Sequence, residues 1–132
     1  MRRVGLALIL LILLGRKAMP EDRALTAAEA RELALKAFEA SGSAKLKGFV
    51  VEQYRNSRDD HFLYFEGTWA NPNGSVVVDH YAVDAITGDV WSAIVCREIT
   101  SPALRKLQVA LRVRIRLSER EYRGLRRQGP LC

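Results

Sequence analysis

Between Leu46 and Cys96 the chain carries four segments rich in β-branched and aromatic residues, at 46–55, 61–69, 75–85 and 90–96, separated by NSRDD, ANPNG and ITGD. Branched and aromatic side chains suit a pleated backbone, and Asn, Asp, Gly and Pro break it. Loops this short constrain the fold strongly, because a parallel crossover needs a dozen or more residues. The four segments are therefore read as an antiparallel meander.

Ahead of the meander, residues 26–41 read as a helix. Thr26 and Glu29 stand at capping-box spacing, and Ala30, Leu33, Ala34, Ala37 and Phe38 recur on one face. Gly42 ends the pattern, and Glu32 with Lys36 makes a surface pair four residues apart. One helix and one meander bury their apolar surfaces by packing as two layers, which makes the fold class α+β. Both alternating sets of the third strand contain apolar residues, so the second sheet face also needs cover, and the C-terminal tail is the expected source.

In that tail Ser101 and Pro102 give a helix start, and Leu104, Leu107, Ala110 and Leu111 follow at helical spacing, which predicts a helix over 102–115. Residues 109–117 also alternate, with Leu111, Val113, Ile115 and Leu117 against Arg112, Arg114 and Arg116, so a strand stays open as the alternative there. Ser118 and Glu121 repeat the capping-box spacing, and Leu117 with Tyr122 fits a hydrophobic staple. A second short helix is expected over 118–127. The predicted fold is one N-terminal helix packed on a four-stranded antiparallel meander, followed by two short C-terminal helices.

The 132 residues suffice for one ordinary domain, and 48% hydrophobic with 27% charged residues is a globular composition. Charge is unevenly placed. Residues 1–19 carry four basic side chains and no acid, residues 20–96 carry seven basic and twelve acidic, and residues 97–132 carry ten and three, so the segments hold +4, −5 and +7. Arg2 and Arg3 precede nine apolar residues, Leu6 to Leu14, too few to span a bilayer and suited to an export signal. The Gly-Arg-Lys-Ala-Met-Pro sequence that follows lacks a small-x-small cleavage pattern, so an uncleaved anchor stays open. The chain divides into a signal or anchor over 1–20, an α+β unit over 24–97 and a basic helical extension over 98–132. The expected location is outside the cytoplasm, periplasmic or extracellular.

Cys96 and Cys132 are the two cysteines, and export invites a disulfide between them. It would close a loop of about 37 residues, worth roughly 3–4 kcal/mol. The alternative is a buried Cys96 and an unpaired, frayed Cys132.

The meander's last hairpin, Tyr81-Ala-Val-Asp84-Ala-Ile-Thr87-Gly88-Asp89-Val90, following a single helix, resembles the PepSY domain, whose members often carry Tyr-x-Val-Asp-x-x-Thr-Gly-Glu-Val. The resemblance covers residues 26–96. It implies a small exported domain of cystatin-like shape that binds or restrains peptidases, with no catalytic residues of its own. Asp89 stands where Glu is commoner, and the basic extension has no counterpart in that pattern. On the residues alone, Gly88 is expected to supply a positive φ, with Asp84 and Asp89 serving the turn through local backbone hydrogen bonds.

Other chemistry finds little support. His61, His80, Asp59, Asp60 and Asp79 lack convergent metal-ligand spacing, and Cys96 with His80 lacks an orienting third group. No phosphate loop, dinucleotide fingerprint or zinc-protease helix occurs, so no enzyme activity, cofactor or small-molecule substrate is expected. Arg112, Arg114, Arg116, Arg123, Arg126 and Arg127 are candidates for anion binding. Tyr122 is the tail's sole aromatic residue, which argues against nucleic acid. Two functions remain: binding of a protein partner such as a peptidase, and attachment to an anionic membrane surface through the basic tail.

Overall fold

In the computed structural model, which describes residues 21–56, 61–126 and 129–130, the chain enters through a 3₁₀ turn at Glu21–Arg23 and continues into helix α1, Ala27–Ser41. Thr26 caps α1 as expected. Its hydroxyl accepts from the Glu29 amide, and the Glu29 carboxylate accepts from the Thr26 amide. Gly42 closes the helix at φ 82°. Ala30, Leu33, Ala34, Ala37 and Phe38 are all fully buried, so the sequence periodicity marks the packed face. Lys36 pairs with Glu39 at 2.8 Å, three residues on.

Among the described residues the sheet has five strands where four were expected. They are β1 Val50–Tyr54, β2 Phe62–Thr68, β3 Val77–Asp84, β4 Val90–Ser92 and β5 Arg97–Ile99, antiparallel in the order β1-β2-β3-β4-β5. The fourth predicted segment ends early, at Ser92, and the chain turns back through Cys96 at φ 51° to add β5 beside β4. Three residues carry too little propensity to announce a strand; pairing of Val90 with Ile99 makes it one. A register shift at Gly67/Thr68 bends β2 against β3.

Helix α2, Pro102–Arg114, starts at Ser101, whose hydroxyl accepts from the Leu104 amide. Residues 109–114 are helical, which decides the helix-or-strand alternative for that part, and Arg116 at φ 55° redirects the chain. Helix α3, Glu119–Leu125, carries the expected capping box between Ser118 and Glu121. Both helices lie on the same sheet face as α1, contrary to the expected cover of the second face. Leu104, Leu111, Ile115, Leu117 and Tyr122 join one core with Leu33, Phe38, Phe65, Tyr81, Val83 and Val90. Helix α1 reaches β1 to β4 on this face, and the extension packs beside it to complete the layer. The second face holds a smaller cluster of Phe62, Tyr64 and Ala82, bordered by Tyr54, Trp91 and Ala93. Gly129 reaches that side, with its backbone against the Trp91 ring. Among the described residues no helix is long and apolar enough to cross a membrane.

Candidate functional site

The hairpin that carries the family resemblance is a buried structural joint. The Asp84 carboxylate accepts from the Ile86 and Thr87 amides at 2.8 Å each, and Gly88 takes φ 72°, both as expected. Asp89 does something else. It is buried, and its carboxylate accepts from Arg112 Nη2 at 2.8 Å and from the Tyr122 hydroxyl at 3.0 Å, so besides Thr87 of the turn its partners lie in α2 and α3. Arg112 Nε donates to the Thr87 carbonyl and Gln108 Nε2 to the Gly88 carbonyl. The Arg112 guanidinium also stacks 3.6 Å from the Tyr122 ring centre. Burial pushes the Asp89 carboxyl above its ordinary value, against the pull of Arg112, Thr87 and Tyr122. Tyr81 lies within β3, buried against the Phe38 ring at 4.3 Å.

The anion-binding candidates separate. Arg112 is engaged with Asp89, Arg114 with Glu29, and Arg126 with Glu98 at 2.9 Å. Arg116 and Arg123 are exposed with no ion-pair partner among the described residues, and Arg127 lies outside them. Cys132, Asp59 and Asp60 also lie outside them, and with Cys132 the Cys96–Cys132 pairing. Cys96 itself stands in the exposed turn before β5. Among the described residues no group of three or more His, Cys, Asp or Glu could hold a metal ion.

A surface no motif announced lies on the second sheet face, at its β1 end. Register places Glu52 of β1 opposite Glu66 of β2, and Glu66 opposite His80 of β3, a row across three strands. Side chains two residues apart share a face, so Tyr54 and Tyr64 flank the row on one side. The His80 imidazole meets the Tyr54 ring edge-on at 5.4 Å, with Nε2 3.6 Å from the Glu66 carboxylate. His80 Nδ1 is buried without a hydrogen-bond partner among the described residues. Burial first, and then the Glu66 carboxylate, raises the Tyr54 hydroxyl's pKa. Glu52 is exposed, and Glu66 and His80 are half-buried. Like charges directly opposite on adjacent strands repel, so the Glu52–Glu66 pair does not stabilise the sheet. β1 is also an edge strand, with exposed Val50, Glu52 and Gln53. Strand alternation alone would have put Glu52, Tyr54, Glu66 and His80 on one face once the register was known; no turn or motif fixes that register in advance.

No family model matches the chain, and no curated protein matches its sequence. Among solved structures, a chain of a type VI secretion system effector–immunity complex from Pseudomonas protegens resembles it with a TM-score of 0.65 and 18% identity, over 80% of this chain and 88% of that chain. At that identity the likeness is one of fold: an α+β domain built on an antiparallel sheet.

Proposed function

We propose that this chain is a non-enzymatic, exported, PepSY-like domain that binds a protein partner at the β1 end of its second sheet face and along the β1 edge. The observation that carries this reading is the Glu52–Glu66–His80 row, exposed at Glu52 and half-buried at Glu66 and His80, bordered by tyrosines and ending at the edge strand β1. An acidic pair opposed across two strands gains from a partner's cation, tyrosines suit an interface with one apolar and one polar side, and an edge strand can accept a further strand. The likeness in fold to a chain of an effector–immunity complex supports a protein partner, and the PepSY resemblance supports a peptidase as its class.

The test incubates the full chain with purified envelope peptidases and measures complex formation and peptidase activity. A complex or a change in rate is expected, and Glu52→Lys with Glu66→Lys should weaken it by about tenfold or more. Neither complex nor rate change across the envelope peptidases would overturn the reading.

A further inference from the structure

Helix α2 has an outer face at odds with its surroundings. Pro102, Lys106, Val109 and Val113 follow at steps of four, three and four residues, so they form one row along the crest opposite buried Leu104, Gln108 and Leu111. The crest of a surface helix is ordinarily polar. Here Val109 is 53% and Val113 73% exposed. Arg105 borders the row, Arg116 follows it, and neither these nor Lys106 has an ion-pair partner among the described residues. The cations of the same extension that do find carboxylates, Arg112, Arg114 and Arg126, lie away from this crest. At the head of the helix a shallow depression lined by Thr100, Ser101, Pro102, Arg105, Lys106 and Val109 adjoins the row.

The start of the described chain lies beside the other end of this helix. Arg23 donates from Nε to the Ile115 carbonyl and from Nη2 to the Arg116 carbonyl at 3.0 Å. The apolar run Leu6 to Leu14 precedes that anchor point. A stretch from Leu14 to Glu21, even fully extended, reaches no more than about 25 Å. Wherever that run meets a bilayer, the C-terminal end of α2, beside Arg23, is held near it.

We propose that the α2 crest docks on an anionic bilayer surface, the same one that the N-terminal apolar run enters, with Val109 and Val113 in the interface and Arg105, Lys106 and Arg116 against lipid phosphates. Apolar side chains among unpaired cations match the chemistry of that surface, where each basic residue near the headgroups is worth about fivefold in binding. The Glu52–Glu66 row belongs to the opposite sheet face, so docking through α2 leaves it turned away from the bilayer.

The test uses the full chain and vesicles of phosphatidylcholine, alone or with phosphatidylglycerol, at low and high salt. The anionic vesicles should be preferred at low salt, with the preference fading at high salt. Because Arg2, Arg3, Arg16 and Lys17 can supply some of that preference, variants on α2 decide the matter. Arg105→Glu with Lys106→Glu should lower the anionic-to-neutral ratio by about 25-fold or more, and Val109→Asp with Val113→Asp should weaken anionic binding by about tenfold. Both pairs lie on the exposed crest, so thermal melts should match the parent chain. An unchanged ratio in both variants would assign the preference to the N-terminal cations and overturn the proposal. So would equal binding to both vesicle types, which would leave the valine row to an acidic protein surface.

Discussion

Asp89 shows how one side chain can change roles between a motif and a fold. In the hairpin pattern it is a turn acid, yet its carboxylate joins the turn to α2 and α3 through Arg112 and Tyr122. Burial raises its pKa despite the guanidinium alongside, so the cost of removing the charge from water is not recovered by the pair. Breaking one side should then cost more than removing both. Arg112→Met strands a buried carboxylate and should lose about 3–5 kcal/mol, whereas Arg112→Met with Asp89→Asn should lose distinctly less. Urea melts of the two singles and the double close that cycle. Equal losses in the double and in Arg112→Met would mean that the ion pair is incidental. Gly67 makes the opposite case, a residue whose role is to have no side chain. A Cβ there would collide with the Phe38 ring, so Gly67→Ala should destabilise by about 1–3 kcal/mol, read from the same melts.

The elements themselves are legible in the sequence wherever the determining residues are local. The caps of all three helices read directly from Thr26, Ser101 and Ser118, because a cap is made within four residues. β5 was not legible, since Arg97–Ile99 owes its conformation to β4 beside it. Nor was the side of the sheet that α2 and α3 occupy. Periodicity shows which face of a helix is apolar and says nothing of which sheet face it meets. The Glu52–Glu66–His80 row was hidden for a similar reason, as it depends on a register set by residues on three strands. Local caps also carry pH dependence. The Ser118 amide and hydroxyl, with Arg23, hold the Glu121 carboxyl down to about 2 from an ordinary 4.5. A depressed carboxyl favours folding above its unfolded pKa, and that contribution is lost as pH falls from about 4.5 towards 2. Glu29 acts in the same direction; burial opposes, but Thr26 and Arg114 prevail. Glu121→Gln keeps the capping geometry without the charge, so its melting temperature should fall less steeply than the parent's over that range. Parallel slopes in thermal melts between pH 5 and 2 would remove Glu121 from the account.

At the scale of the molecule, the division into an α+β unit and a basic extension is a division of sequence and charge that the core does not respect. Leu104, Leu111, Ile115, Leu117 and Tyr122 belong to the same buried cluster as α1 and the sheet. Arg112–Asp89 and Arg114–Glu29 cross the same boundary, while Arg126–Glu98 lies within the extension, so the acidic body and basic tail attract each other within one chain. The exposed ones among these pairs contribute little each, roughly 0–1 kcal/mol, and salt screens them. Burial dominates the joint: each large apolar side chain in the core is worth about 1.5–3 kcal/mol, and a unit of 70–80 residues seldom holds more than about 3–5 kcal/mol in reserve. Cutting the chain after residue 97 removes five such side chains and uncovers Thr87, Val90 and an unpaired Asp89. The shortened chain should therefore lose its cooperative thermal transition and bind a hydrophobic dye, while moderate salt alone should shift the intact chain's melting temperature by only a few degrees. A sharp transition in residues 1–97 within a few degrees of the parent would show that the extension is an appendage, and the basic helices would then be free to act apart from the sheet they now complete.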